Sequence, residues 1–315
     1  MPWMDYQNGI FAFDAQYVRP HLAAIHLVVD GGRAALIDTG AKAALPATLS
    51  ALERVGMTPD AVDYICLTHI HLDHAGGAGS LMQAFPNARL VVHPRGSRHM
   101  ADPTKLLEGV RAVYGADETA ERYGDILPIH PARIIEAQDE QILTLGNRRL
   151  RCLDTPGHAR HHLCFVDEQT GGVFTGDVFG ISYRELDAES RPFIFPTTTP
   201  VQFEPALMKA SIERILALQP EACYLTHYAR VETVQTLGRT LCQQVDDFCS
   251  MALAAPGEGP ARHCALQDAL TRYLLDAVRA HGCVLSEPEC LEILKTDIEL
   301  NAQGLGIWRD SLASR

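Results

Sequence analysis

The sequence predicts an α/β layered domain followed by a run of helices. Apolar stretches of strand length alternate with amphipathic helical segments over roughly the first two thirds of the chain, in two successive blocks, and everything from Val231 onward carries a helical pattern. The expected domains are therefore 1–230, an α/β catalytic domain, and 231–315, a helical C-terminal domain.

In the first block, Leu22–Val29 and Ala34–Ile37 are apolar runs separated by Asp30-Gly31-Gly32, a hairpin signal. Leu45–Val55 is amphipathic and Gly56 closes it, Val62–Leu67 is a buried-type strand, and Arg89–Val92 is another. Helical pattern occupies Gly79–Phe85 and most of Pro94–Tyr123, with breaks at Pro103 and Gly115. The second block has strands at Arg148–Leu153, Leu163–Val166, Val173–Thr175 and Ala222–Leu225, with a helix over Glu204–Leu218. From Val178 to Pro205 no period holds, and four prolines stand among Phe193, Phe195 and Thr197–Thr199. A long irregular segment of this kind is usually functional. Ala254–Pro260 is a linker inside the helical region.

Composition narrows the class. Hydrophobic residues are 47% and charged ones 21%, as in globular proteins, which excludes a disordered chain. The formal charge of −12 repels polyanions, so the expected partner is a small molecule and not nucleic acid. No apolar run reaches membrane-spanning length, and Met1–Asp5 has neither the basic nor the apolar region of a leader. The nine cysteines are scattered without a C-x-x-C pair, consistent with reduced thiols in the cytoplasm. Cys242/Cys249 and Cys283/Cys290 each recur at a helical spacing, read as buried faces and not bridges.

The chemistry concentrates at strand ends. Thr68-His69-Ile70-His71-Leu72-Asp73-His74-Ala75-Gly76-Gly77 places three imidazoles and a carboxylate within six residues, just past a strand. Imidazole and carboxylate at this density suit zinc, iron or manganese. Three more strand ends deliver the same chemistry: Thr155-Pro156-Gly157-His158, Thr175-Gly176-Asp177 and Leu225-Thr226-His227. Each alone reads as a loop or cap residue; four along one sheet edge read as a metal site.

The order H-x-H-x-D-H, G-H, G-D, T-H resembles the metallo-β-lactamase superfamily over roughly Leu22 to His227. The resemblance implies an αββα four-layer sandwich, here with a C-terminal helical extension. It implies two divalent metal ions, zinc first with iron or manganese as alternatives. His69, His71 and His158 would bind one and Asp73, His74 and His227 the other, with Asp177 bridging and Asp38 orienting a ligand from behind. A hydroxide shared by the ions would attack a carbonyl, with Asp73 near the leaving group and Asp177 at the centre of the catalytic set. True β-lactamases of this kind carry Cys or Ser at position 177, which argues against antibiotic hydrolysis. The site is similar to those of glyoxalase II thioesterases and acyl-homoserine lactonases, although Arg160-His161 replaces their Pro-Gly before His162. His161 and His162 are read as strand-start residues, and His93, His99 and His130 as loop or surface residues.

The expected function is thus a dinuclear hydrolase of a small ester, lactone or thioester. The alternatives are a mononuclear iron persulfide dioxygenase, or a ligand-binding effector without turnover. Tyr183, Phe193 and Phe195 are candidate lid residues over the substrate, with packing against the helices as the plainer alternative. Tyr183 and Tyr228 are candidates to assist an oxyanion. The C-terminal helices are expected to cap the site, to form a homodimer interface, or both.

Overall fold

The computed structural model describes residues 3–198 and 200–313. The chain separates into two compact units. The first unit comprises Met1–Asp154, His161–Gly176 and Pro220–Glu232; the second comprises Thr155–Arg160, Asp177–Gln219 and Thr233–Arg315. The irregular 177–205 segment and the loop bearing His158 thus belong with the C-terminal helices.

The first unit holds two mixed sheets. One has seven strands in sequential order: β1 (Trp3–Asp5), β2 (Ile10–Asp14), β3 (Ala24–Asp30), β4 (Arg33–Ile37), β5 (Val62–Cys66), β6 (Arg89–Val92) and β7 (Ile134–Glu136). Pairing is antiparallel through β4 and parallel from β4 to β7. The other sheet contains β8 (Ile142–Leu145), β9 (Arg148–Asp154), β10 (Leu163–Asp167), β11 (Val173–Gly176), β12 (Cys223–Leu225) and β13 (Ala229–Val231). Of these only β11 and β12 run parallel. The expected hairpin joins β3 to β4 through Gly31-Gly32.

Strand alternation explains the layering. Along β3 and β4, Ile25, Leu27, Ala34 and Leu36 face one core with the helices α1 (Leu45–Arg54), α2 (Leu72–Ala75), α3 (Ala78–Ala84) and α4 (Pro94–Ala101). Their alternates Val28, Ala35 and Ile37 meet Leu143, Leu150, Leu163, Phe165 and Phe174 of the second sheet. Burial on both faces is why these strands read as continuous apolar runs. The Pro94–Tyr123 stretch resolves into α4, α5 (Thr104–Tyr114) and α6 (Ala116–Tyr123), broken at Asp102-Pro103 and Gly115 as the sequence indicates.

The second unit contains α7 (Pro205–Ala217), α8 (Val234–Ala254), α9 (Gly259–His281) and α10 (Glu287–Ala313). α8 packs on α7 and on α9, and α10 packs on α8 and α9. Cys242 and Cys249 do share α8, but Cys283 lies in the turn after α9 and Cys290 in the first turn of α10, so the second pair spans two elements and not one helix face. Gly282, with a φ of 96°, ends α9 before that spacing can continue as helix. No helix among the described residues is long and apolar enough to cross a membrane.

Candidate metal centre

The first unit gathers Asp38, His69, His71, Asp73, His74 and His227 around the ends of β4, β5 and β12. Asp38 follows β4, holds a φ of 60°, and is 1% exposed. Its carboxylate accepts hydrogen bonds from three elements. Thr68 donates its N–H at 2.8 Å and its hydroxyl at 2.9–3.0 Å, Thr226 donates its hydroxyl at 2.7 Å, and His74 donates Nδ1–H at 2.8 Å. Such saturation holds a buried carboxylate in one orientation.

The motif after β5 is shaped by close backbone approach. Thr39 takes its N–H and hydroxyl to the His74 carbonyl, each at 2.7 Å. Gly76 and Gly77 have ordinary helical dihedrals. They are glycine for lack of room: a Cβ on Gly77 would stand 2.7 Å from the Thr39 carbonyl oxygen and 2.9 Å from that of Ala41. What these positions require is a close approach of backbone, not an unusual φ.

Within this frame the imidazoles converge. His69 and His74 are fully buried and their rings lie 4.0 Å apart. His69 Nε2 and His71 Nδ1 stand 2.9 Å apart, and His69 Nδ1 contacts the Thr68 hydroxyl at 3.1 Å. Asp73, His74 and His227 offer ligand atoms within 4.8 Å of one another, Asp73 Oδ2 lying 3.5 Å from His74 Nε2 and 3.4 Å from His227 Nε2. His227 Nδ1–H donates to the Leu22 carbonyl at 2.7 Å. In both His74 and His227, therefore, Nδ1 carries a proton and Nε2 is the nitrogen that faces Asp73. This is the donor set a divalent metal requires, and the residues fit one.

His161 and His162 flank the cluster. His161 Nδ1 accepts from the Ile70 N–H at 3.5 Å, and His162 is fully buried with its ring stacked 5.2 Å from that of His69. Gly176, at φ 49°, closes over His162: a Cβ there would meet Thr68 Oγ1 at 2.6 Å and His162 Nε2 at 2.8 Å. Tyr228 is 2% exposed and stands edge-on to His21, ring centroids 5.2 Å apart.

The second unit carries His158 and Asp177. His158 Nδ1–H donates to the Thr197 carbonyl at 3.2 Å, and Nε2 lies 3.5 Å from Asp177 Oδ2. The His158 loop is anchored on the start of α7, with Glu204 N–H to Gly157 O at 2.8 Å, Ser211 Oγ to Pro156 O at 2.7 Å, and Arg160 to Glu204 at 2.8 Å. Tyr183, Phe193 and Phe195 are at most 4% exposed. Tyr183 donates to Asp297 of α10 at 3.3 Å and meets Phe195 edge-on, while Phe193 packs on His281 at the end of α9. These contacts are those of the packing alternative.

The other histidines have local roles. His93, expected in a loop or on the surface, is 9% exposed; it caps α4 by accepting from the Arg95 N–H at 3.0 Å, and its Nε2 lies 3.4 Å from Asp154. His130 caps a short 3-10 turn, and His99 lies half-buried on α4. His26, on β3, is buried edge-on to Phe174 and Tyr224, and burial pushes its pKa down to about 4 although Asp38 pulls the other way. Burial likewise pushes the Cys66 thiol up, so it offers no thiolate to the neighbouring centre.

Sequence reading missed Thr68 and Thr226, yet the signal is present: Leu67-Thr68-His69 and Leu225-Thr226-His227 are the same tripeptide, each handing a hydroxyl to Asp38. The Leu22 carbonyl has no such signature.

The profile described as "Metallo-beta-lactamase superfamily" matches residues 18–227. The metallo-beta-lactamase fold-containing protein ST1585 of Sulfurisphaera tokodaii is 28% identical over 212 residues, 66% of this chain and 73% of that protein. A hydroxyacylglutathione hydrolase of Xanthomonas campestris is 31% identical over 185 residues, 58% of this chain; the match spans about half, 54%, of that protein. Among solved structures, ST1585 superposes with a TM-score of 0.67 at 24% identity, covering 94% of this chain and 98% of its own. A metallo-beta-lactamase family protein of Thermus thermophilus, TTHA1429, gives 0.64 at 22%, covering 93% and 95%.

Proposed function

The chain belongs to the metallo-beta-lactamase superfamily, and from that premise we propose that it is a dinuclear metal-dependent hydrolase of a small thioester, ester or lactone. The observation that carries this reading is the Asp73–His74–His227 trio, in which two Nε2 atoms face one carboxylate while the Nδ1 atoms are held from behind. In the proposal this trio would hold one ion, His69, His71 and His158 would hold the other, and Asp177 would serve both.

When bound, such ions supply Lewis acidity, bringing the pKa of a coordinated water to about 7 and polarising a carbonyl. The chain supplies the rest. Asp38 and the Leu22 carbonyl fix tautomer and ring angle at His74 and His227, so little reorganisation accompanies reaction. Asp73 retains 23% side-chain exposure, the most open of its trio, and is suited to hold the proton that leaves with an alkoxide or thiolate. The charge of −12 favours small substrates over polyanions. Likeness to a hydroxyacylglutathione hydrolase supports placing thioesters first in any panel.

The test is turnover on thioesters, lactones and aryl esters, with penicillins and RNA as negative substrates. We expect hydrolysis of at least one carbonyl substrate, abolished by a chelator and restored by zinc, iron or manganese. Oxygen uptake with glutathione persulfide and no hydrolysis would replace the hydrolase by a dioxygenase. A fully metallated protein inert across the panel, carrying a retained small molecule, would replace it by an effector.

A further inference from the structure

Within the second unit, three buried polar side chains of the C-terminal helices hold the 181–198 segment. Gln244 of α8 donates Nε2–H to the Ile194 carbonyl at 3.0 Å, and Asp297 of α10 accepts from the Tyr183 hydroxyl at 3.3 Å. One turn further along α10, Asn301 makes the densest set. Its Oδ1 accepts from the Thr198 N–H at 2.6 Å and the Thr198 hydroxyl at 2.8 Å, and its Nδ2 donates to the Pro196 carbonyl at 3.4 Å. Asn301 is 1% exposed. Pro196 and Thr198 flank Thr197, and it is the Thr197 carbonyl that accepts Nδ1–H of His158.

We propose that Asn301 is a positioning residue: by clamping both neighbours of Thr197 it sets the carbonyl that fixes the tautomer and ring orientation of His158. The inference rests on the reading of His158 as a metal ligand. Asn is the residue type the place demands. It must accept twice and donate once within one side chain, where an aliphatic group would leave the Thr198 N–H and the Pro196 carbonyl unpaired. With the carbonyl fixed, His158 keeps its proton on Nδ1 and presents Nε2 beside Asp177. The C-terminal helices are in this view a supporting shell of the centre.

The experiment compares wild type, Asn301→Ala, Asn301→Asp and Gln244→Ala in the full chain. Zinc is titrated against a competing chelator to resolve two affinities. The metal-free proteins are examined by 15N NMR of the imidazoles, which reads the His158 tautomer. Gln244→Ala loosens the same segment two residues upstream of Pro196 and is expected to retain both affinities. Asn301→Ala is expected to weaken one ion at least ten-fold, spare the other, and lower the Nδ1–H fraction of His158. Asn301→Asp keeps the acceptor oxygens for Thr198 but loses the donor to the Pro196 carbonyl, and is expected to weaken the same ion by less than alanine does; it stands in if the alanine variant fails to fold. Unchanged affinities and tautomer in a folded alanine variant, or equal weakening of both ions, would overturn the proposal. Wild type binding no zinc would instead sink the metal reading beneath it.

Discussion

The Asp38 carboxylate accepts Nδ1–H of His74 at 2.8 Å, with both side chains out of solvent. Asn tolerates the left-handed backbone at position 38, so Asp38→Asn keeps the chain path while setting an NH2 against one of the donors that the carboxylate accepts, which weakens the grip on the ring. The expected result is a loss of affinity for one ion in the range of about 10–100-fold seen when such partners are removed. Equilibrium zinc titration reads it. Wild-type affinity in this variant would mean that Asp38 supports the strand ends and not the ligand.

Purified without chelator, the protein is expected to contain close to two metals per chain. Asp177→Asn removes charge at a proposed bridge and should lower that number together with turnover. His162 stacks on His69 but joins no ligand trio among the described residues. His162→Gln should therefore keep both ions and lose only stability, about 1–2 kcal/mol. Elemental analysis and thermal melts separate the two, and equal metal loss would refute the ligand assignment.

Gly176 and Gly56 both have positive φ, at 49° and 73°, but only Gly176 has neighbours where a Cβ would go. Alanine at Gly56 should cost about 1 kcal/mol from backbone strain alone. Alanine at Gly176 adds overpacking against Thr68 and His162, worth about 1–3 kcal/mol more. Urea unfolding of metal-free protein tests the difference. Equal losses would show that the Thr68 and His162 side chains yield freely.

His26 gives the fold a one-sided response to acid. Its folded pKa of about 4 lies below the unfolded value of about 6.5, so the unfolded chain takes the proton first. Its contribution is complete above pH 6.5 and declines as pH falls toward 4, by about 3 kcal/mol in all. His26→Leu should flatten the stability–pH curve over that window relative to wild type. Parallel curves would mean that the folded protein admits the proton without penalty.

Much of this could be read in advance because strand ends are local. Thr68–Gly77 announces itself by density, and His158, Asp177 and His227 each follow a strand-like stretch that the sheet then uses as β9, β11 or β12. β1, β7 and β13 are three residues each, too short for period-two alternation to register. The grouping of distant stretches within the second unit was hidden for a different reason. Tyr183 reaches Asp297 and Thr198 reaches Asn301 across more than a hundred residues, and a single buried amide on a long helix has no local signature.

The second unit is assembled from three stretches that alternate with the first, and its last helix ends at Ala313. Synthesis runs from the N-terminus, and domains that emerge early fold early. Both sheets are fully specified once Glu232 has left the ribosome, whereas the clamp on Thr198 must wait for Asn301, about seventy residues later. The nascent chain therefore passes through an interval in which its Asp73–His74–His227 trio exists but the support for His158 does not. An ion held by the trio alone, as the proposed function allows, could bind in that interval.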